Sequence, residues 1–545
     1  MLNETYRAML GHKSVIRETF MYGKQRAAEI GYENVFDYSL GNPSVPCPDK
    51  FTKAMQTLLA EEEPVALHGY CPSQGDPGFR TAVAAHLAKT FGLPYEQKDI
   101  FPTTGAAGAI AHAIRAVTKP GDEVLTFAPY FPEYGPYVEG TGAVLKVVPP
   151  QAPAFQPNLD AFEEMLTENV TCVLINTPNN PTGVVYSAET LTRLADILTE
   201  KSKAFGHNIF LVSDEPYRDI AFDGKKVPYP AAFYPHTLTC FSFSKSLSLP
   251  GERLGYVAVR PGCEGEDVLV DMMAQISRFT GHNCPPSIIQ KATAECLDVT
   301  SDLSVYETNM DLLYDKLTEL GFEVERPGGT FYIFPKALEE DANAFCLKAR
   351  EFDLLLVPSD TFGVKGYVRF AYCIDTEKVK RSLPALEKLA AAYKNLSVSL
   401  TLASSPVSGE PNRIYLLREV QNASAPRISP PEHAPGQLRQ PERPVGLRHH
   451  PELGVPGKVG RRYPRTLFAR GESLRREPDT AARPVAPLPP HLHAPGGGGR
   501  ARPAPLRGGG LRLRGGGQWP SGRGTPGRLL ALHAGHHRPA PPAGT

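Results

Sequence analysis

From about residue 50 to residue 285 the chain repeats one pattern, a short run of β-branched and apolar residues followed by a stretch with helical spacing. The runs include EVLTFAP (123–129), VLKVVP (144–149), NVTCVLIN (169–176), NIFLVSDE (208–215), TLTCFSFS (237–244) and LGYVAV (254–259). Several are apolar on both faces, as strands covered by helices on each side must be. Between two of them, SAETLTRLADILTEKSKAF (187–205) offers a Ser N-cap and then leucines at helical spacing. Alternating strands and helices predict an α/β fold with a large, mostly parallel sheet.

After about 285 the pattern changes. The sequence predicts a long helical region (287–320), then a strand, turn and strand in FEVERPGGTFYIFPK (322–336). A helix (341–352), strands in LLLVPS and YVRFAY, and a closing helix around 376–394 follow. This reads as a smaller α+β domain (286–395), joined by the N-terminal segment (1–49) and set beside the large domain (50–285). Beyond about 396 the periodicity disappears. From Thr401 onward there are 22 Lys+Arg against 8 Asp+Glu, together with 24 of the 54 prolines and 22 of the 49 glycines. Such a stretch buries too little apolar surface to offset chain entropy, so 396–545 is expected to be disordered. Its one lysine, Lys458, stands against 21 arginines. That bias suits either a nonspecific nucleic-acid-binding arm or GC-rich DNA translated outside its natural frame.

The zero net charge of the whole chain conceals a net −14 over residues 1–400, a surface that repels nucleic acid. All nine cysteines, Cys47 to Cys373, lie in that part, and none forms a C-x-x-C pair. That excludes a zinc ribbon, argues against a disulfide-stapled secreted domain, and fits a reducing cytoplasm. No apolar stretch approaches the length of a membrane span or a signal peptide, and no metal site is expected.

Four segments carry chemistry. In SFSKSLSLPGERLGY (242–256) a lysine follows an apolar strand among small hydroxyl residues. Partial burial there would lower its pKa and make the amine nucleophilic. SDEPYRDI (213–220) puts a carboxylate at a strand's C-terminal end, where open α/β sheets bind ligands. NTPNNPTG (176–183) also ends a strand and by itself suits a simple turn. TTGAAGAIAHAIRAV (103–117) opens a helix with small residues that leave backbone N–H groups accessible to an anion.

In order and spacing, these segments make the first 395 residues resemble the class I/II aminotransferases, fold-type I enzymes that use pyridoxal 5′-phosphate (PLP). The most specific part is S-x-S-K with Arg253 eight residues beyond Lys245. The resemblance implies that Lys245 forms the Schiff base with the cofactor and then shuttles the proton between Cα and C4′. It implies that Asp214 pairs with the pyridine nitrogen, keeping the ring protonated as an electron sink. Asn180 and Tyr217 are similar to the pair that bonds the ring's 3′ oxygen, and Phe131 to the residue stacked on the ring, with Tyr130 the alternative. The phosphate cup would be the backbone of Gly105, Ala106 and Ala107, the hydroxyls of Ser242 and Ser244, and the fork of Arg253. Tyr70 resembles the tyrosine that reaches the phosphate of a neighbouring subunit's cofactor, which implies a homodimer. Arg369 matches the arginine that grips the substrate α-carboxylate, helped by the backbone of Gly41, with Asn180 also at the substrate.

The activity so implied is a ping-pong transfer of an amino group between an amino acid and a 2-oxo acid. Some relatives carry a lysine where Ala107 stands here, and that lysine reads a distal carboxylate, so the residue at 107 leaves the amino donor open. Two other readings share the fold: a PLP-dependent C–S β-lyase, with the same cofactor contacts, and a PLP-sensing regulatory module. The latter calls for a DNA-binding domain, for which residues 1–50 are too short and the tail too irregular.

Overall fold

In the computed structural model of the protein, the described residues are Leu2, Arg7, Leu10 and 15–403, with side chains described through Lys394. In chain order the strands are β1 (Phe36–Asp37), β2 (Ile100–Thr103), β3 (Glu123–Phe127), β4 (Val144–Val148), β5 (Val170–Asn176) and β6 (Phe210–Asp214). They continue with β7 (Thr237–Ser242), β8 (Gly255–Val259), β9 (Tyr332–Ile333), β10 (Leu354–Leu355), β11 (Val357–Pro358) and β12 (Val368–Ala371).

Seven of them form one sheet in the order β2-β8-β7-β6-β5-β3-β4. Neighbours from β7 to β4 pair in parallel, whereas β8 is antiparallel to both β7 and β2. β8 alone therefore runs against the others. The central strands β5, β6 and β7 are buried almost throughout, which is why their sequences show no polar alternation. The helix Ala188–Phe205 begins at Ser187, whose hydroxyl accepts from the Thr190 N–H, and ends at Gly206 with φ of 76°.

β2 is a strand that the sequence pattern did not flag. Pro102 within it argues against a central strand, but β2 lies at the sheet edge, where a missing N–H is tolerated. The helix Val15–Ile30 was likewise not expected.

The smaller layer contains a three-stranded antiparallel sheet, β11-β12-β9, and a parallel pair in which β1 joins β10. Around them pack the helices Ser304–Leu320, Ala342–Arg350 and Thr376–Ala403, with Phe331, Phe345, Val368 and Leu386 inside. Three expectations need correction here. Residues 287–320 are two helices, Ser287–Ala294 and Ser304–Leu320, because Asp298, Thr300, Ser301 and Asp302 offer side-chain partners that compete with helical bonds. In 322–336 only Tyr332–Ile333 is a strand; the first half meets the second at Lys336 N–H to Glu323 O, short of a ladder. The closing helix, expected around 376–394, runs to Ala403, since no Gly or Pro interrupts 395–403. The rest of the tail, with its nucleic-acid and reading-frame alternatives, lies outside the described residues. Among the described residues no helix is long and apolar enough to cross a membrane, and no cluster of side chains could hold a metal ion.

Candidate active site

Parallel strands end together, so whatever follows their C-terminal ends converges on one edge of the sheet. Here β2 leads into the helix Gly105–Val117, β3 into Phe131, β5 into Asn180, β6 ends on Asp214, and β7 ends on Ser242 just before Lys245. At that edge lies a cavity of about 520 Å³. It is lined by Gly41, Ala106, Ala107, Phe131, Asn180, Asp214, Tyr217, Ser242, Ser244, Lys245, Arg253 and Arg369. Residues separated by more than 300 positions thus share one wall.

Asp214 sits at the floor, buried. Its Oδ2 accepts from the Tyr134 hydroxyl at 2.6 Å, and Asn176 Nδ2 donates to the Asp214 carbonyl at 2.8 Å. Its other oxygen, Oδ1, is buried without a hydrogen-bond partner. Burial pushes the carboxyl up to about 7; the Tyr134 hydrogen bond opposes the rise and the Glu215 charge adds to it. Lys245 is shifted the other way. Its amine is brought down to about 8, chiefly by burial; Cys373 opposes the fall, and the charges of Arg253 and Arg369 add to it more weakly. Its Nζ donates to Gly41 O at 2.7 Å and lies 5.2 Å from the Phe331 ring centroid.

At one end, Ser242 Oγ donates to Ser244 Oγ at 2.7 Å and accepts from the Ser244 N–H. Arg253 has a left-handed backbone, φ 52°, and donates to Pro250 O and Thr104 O. Such a conformation costs about 1–3 kcal/mol for a non-glycine residue, so the surrounding turn must hold it. Gly105 is required opposite it: its φ is 77°, and a Cβ there would lie 2.9 Å from Arg253 Nη2. Gly105 immediately precedes the lining residues Ala106 and Ala107 in the chain.

At the other end, Arg369 is buried on β12. It donates to Asn180 Oδ1 at 3.1 Å and to Ser39 O at 2.7 Å, with Tyr332 and Phe362 rings 4.6 and 5.2 Å from the guanidinium carbon. Its Nε is buried without a partner. Gly41 is tightly confined, since a Cβ would fall 2.0 Å from the Tyr332 hydroxyl. Tyr217 shares a 3.2 Å hydrogen bond with that same hydroxyl.

Of the two aromatic candidates, Phe131 lines the cavity, while Tyr130 packs beside Gly363. Tyr70 is not brought to the cavity within the chain. It is fully exposed, at 108 % relative accessibility, on a separate surface hollow. Other contributors went unnoticed in the sequence. Tyr134 closes the same PYFPEY segment that holds Phe131, and Asn176 opens NTPNNPTG, so motif membership was their available signal. Tyr332, and Ile16, Arg17 and Phe20 from the first helix, also line the cavity, and nothing in their local sequence marks them.

Residues 33–386 match the aminotransferase class I and II family. The chain is 30% identical over 386 residues to a probable aspartate/prephenate aminotransferase of Thermus aquaticus, covering 68% of this chain and 94% of that protein. It is 29% identical over 376 residues to aromatic-amino-acid aminotransferase 2 of Thermococcus litoralis, covering 66% and 92%. Among solved structures it resembles an amino transferase of Eubacterium rectale at 45% identity and a TM-score of 0.70, covering 72% of this chain and 99% of that one. A Thermus thermophilus aspartate aminotransferase with maleate gives 26% identity and a TM-score of 0.64, over 71% and 99%. The chain belongs to the class I and II aminotransferases, fold-type I enzymes that depend on PLP to move amino groups between amino acids and 2-oxo acids.

Proposed function

We propose that PLP binds in the 520 Å³ cavity and that a homodimer carries out transamination there as two separate half-reactions. The residues fit the cofactor. Asp214 Oδ1, buried and unbonded, suits a protonated ring nitrogen, and the ionised form that such a partner demands is within reach of a carboxyl at about 7. Lys245 would hold the aldehyde through its amine, Asn180 and Tyr217 would bond the ring oxygen, and Phe131 would cover a ring face. Ser242, Ser244, Arg253 and the backbone of Gly105, Ala106 and Ala107 would take the phosphate, with Tyr70 supplied by the neighbouring subunit. When bound, the cofactor supplies an electron sink that stabilises negative charge at the substrate Cα.

The chain's own residues do the rest. Arg369 orients the substrate through its α-carboxylate, assisted by Gly41. Lys245 takes the Cα proton through its amine; held down at about 8, that amine is far more often neutral near pH 7 than an ordinary lysine. Gly41 O, which accepts from Nζ, keeps that amine aimed into the cavity. The apolar walls from Phe20, Leu40, Ile110 and Phe131 exclude water from the transfer. The odd number of cysteines, with no C-x-x-C pair, supports a cytoplasmic location.

The observation that carries this reading is that Asp214, Lys245 and Arg369 line one cavity while Asp214 Oδ1 and Arg369 Nε lack partners. The test is a single turnover. PLP-loaded protein mixed with one amino acid, and no 2-oxo acid, should release about one equivalent of 2-oxo product per site. Release only when an acceptor is added would contradict the two-step reading. Pyruvate and thiol from cysteine conjugates, without acceptor, would indicate a C–S lyase instead. Light scattering should return twice the mass of one chain.

A further inference from the structure

Two cysteines far apart in sequence meet outside the active site. Cys71 follows Tyr70 in the loop after the helix Pro64–His68, and Cys284 lies in the segment before the helix Ser287–Ala294. Their sulfurs are 2.8 Å apart. Within one chain both are part-buried and border the same surface hollow, which Tyr70 also lines.

The approach is built by the surrounding framework. Gln290, fully buried, donates to Pro285 O at 2.7 Å and accepts from the Asp76 N–H at 2.8 Å, binding the two segments together from behind. The same amide group donates to Cys71 Sγ at 3.7 Å. Ser287 Oγ donates to Leu67 O at 3.0 Å on the other side. A disulfide needs an S–S separation of about 2.0 Å, so closure asks the sulfurs to move by roughly 0.8 Å. The pair is also chemically asymmetric. The hydrogen bond from Cys284, helped by the Gln290 amide, lowers the Cys71 thiol, while Cys284 is raised because it keeps the shared proton.

We propose that Cys71 and Cys284 are a redox modification site, a thiol pair that small-molecule disulfides oxidise to a reversible intrachain disulfide. In the first exchange the Cys71 thiolate attacks one sulfur of the small disulfide, forming a mixed disulfide and expelling one thiolate. Cys284 then loses its proton and attacks Cys71 Sγ, expelling the second. The two protein thiols give up two electrons and two protons, and the small disulfide becomes two thiols. The bond ties the peptide that carries Tyr70 to the 282–290 segment.

The test uses the full chain equilibrated with glutathione and glutathione disulfide at graded ratios, quenched with acid and mapped by alkylation and mass spectrometry. The expected result is the loss of two thiols together, one linked peptide pair containing Cys71 and Cys284, and recovery of both thiols with dithiothreitol. The other seven cysteines should remain alkylatable throughout. In Cys284→Ser, Cys71 should stop at the glutathione adduct; in Cys71→Ser, no linked pair should form. Three outcomes overturn the proposal: both thiols staying free at the most oxidising ratio, linkage through any other cysteine, or a covalent dimer on a non-reducing gel.

Discussion

The two walls of the cavity are built by different means. The wall from the large sheet comes from residues at or just beyond strand ends, and the register of the sheet positions them. Asn176 and Asp214 are direct partners across β5 and β6, and Asp214 pairs with Cys240 across β6 and β7. The opposite wall comes from Gly41, outside any strand, and from Tyr332 and Arg369 on the short paired strands β9 and β12, and single contacts such as Arg369 to Asn180 Oδ1 and Tyr217 to Tyr332 tie it to the first wall. A ladder of strands is stiff because many backbone bonds share its load. Isolated side-chain contacts between distant segments are the kind of arrangement that can move when ligands bind. On the proposed function, cofactor chemistry falls on the stiff wall and substrate selection on the wall held by fewer ties.

Substitutions on each wall should therefore fail differently, and the largest loss belongs to the stiff one. Lys245→Ala removes the proposed proton carrier and should cut transamination by about 10³- to 10⁴-fold, with the thermal midpoint little changed. If turnover survives at wild-type level, another base acts. Asp214→Asn keeps the shape but removes the charge, so kcat should fall about 10²- to 10³-fold. On the other wall, Arg369→Lys loses the planar fork. Its main effect should be a rise in KM of about 10- to 100-fold with a smaller change in kcat. An effect confined to kcat would break the division between walls. Tyr134→Phe, which removes the hydroxyl that opposes the rise in the Asp214 pKa, should lower kcat about tenfold.

The smallest expected effect is on the stability of the cofactor-free protein. The Asp214 carboxyl is held above its usual range, at about 7, so between the unfolded and folded values the native state binds the extra proton. Through this group stability falls as pH rises from about 4 to about 7. The cofactor-free thermal midpoint should drop across that window more steeply in wild type than in Asp214→Asn. Parallel curves would show that the carboxyl titrates normally. For Lys245, held down at about 8, the sign is opposite: stability through this group rises as pH climbs from about 8 towards its ordinary value near 10.5.

Much of the stiff wall was legible in sequence. Fully buried strands write themselves as continuous apolar runs, and residues that end such strands gather at one edge by topology. That pattern marks the segments holding Asp214, Asn180 and Lys245. It missed β2, because an edge strand tolerates a proline that a local pattern counts against it. It joined the helices around 295–303, because periodicity alone does not weigh the short polar side chains there.

What the amino-acid order determined by itself was the α/β architecture and which residue types stand at the strand ends, since both depend on local periodicity and on residue type. Only the tertiary structure decided that Tyr134 braces Asp214, that Tyr332 confines Gly41, and that Cys71 meets Cys284 across 213 positions. Those are packing outcomes. They depend on how separate elements settle against one another, and no spacing along the chain encodes a distance through space.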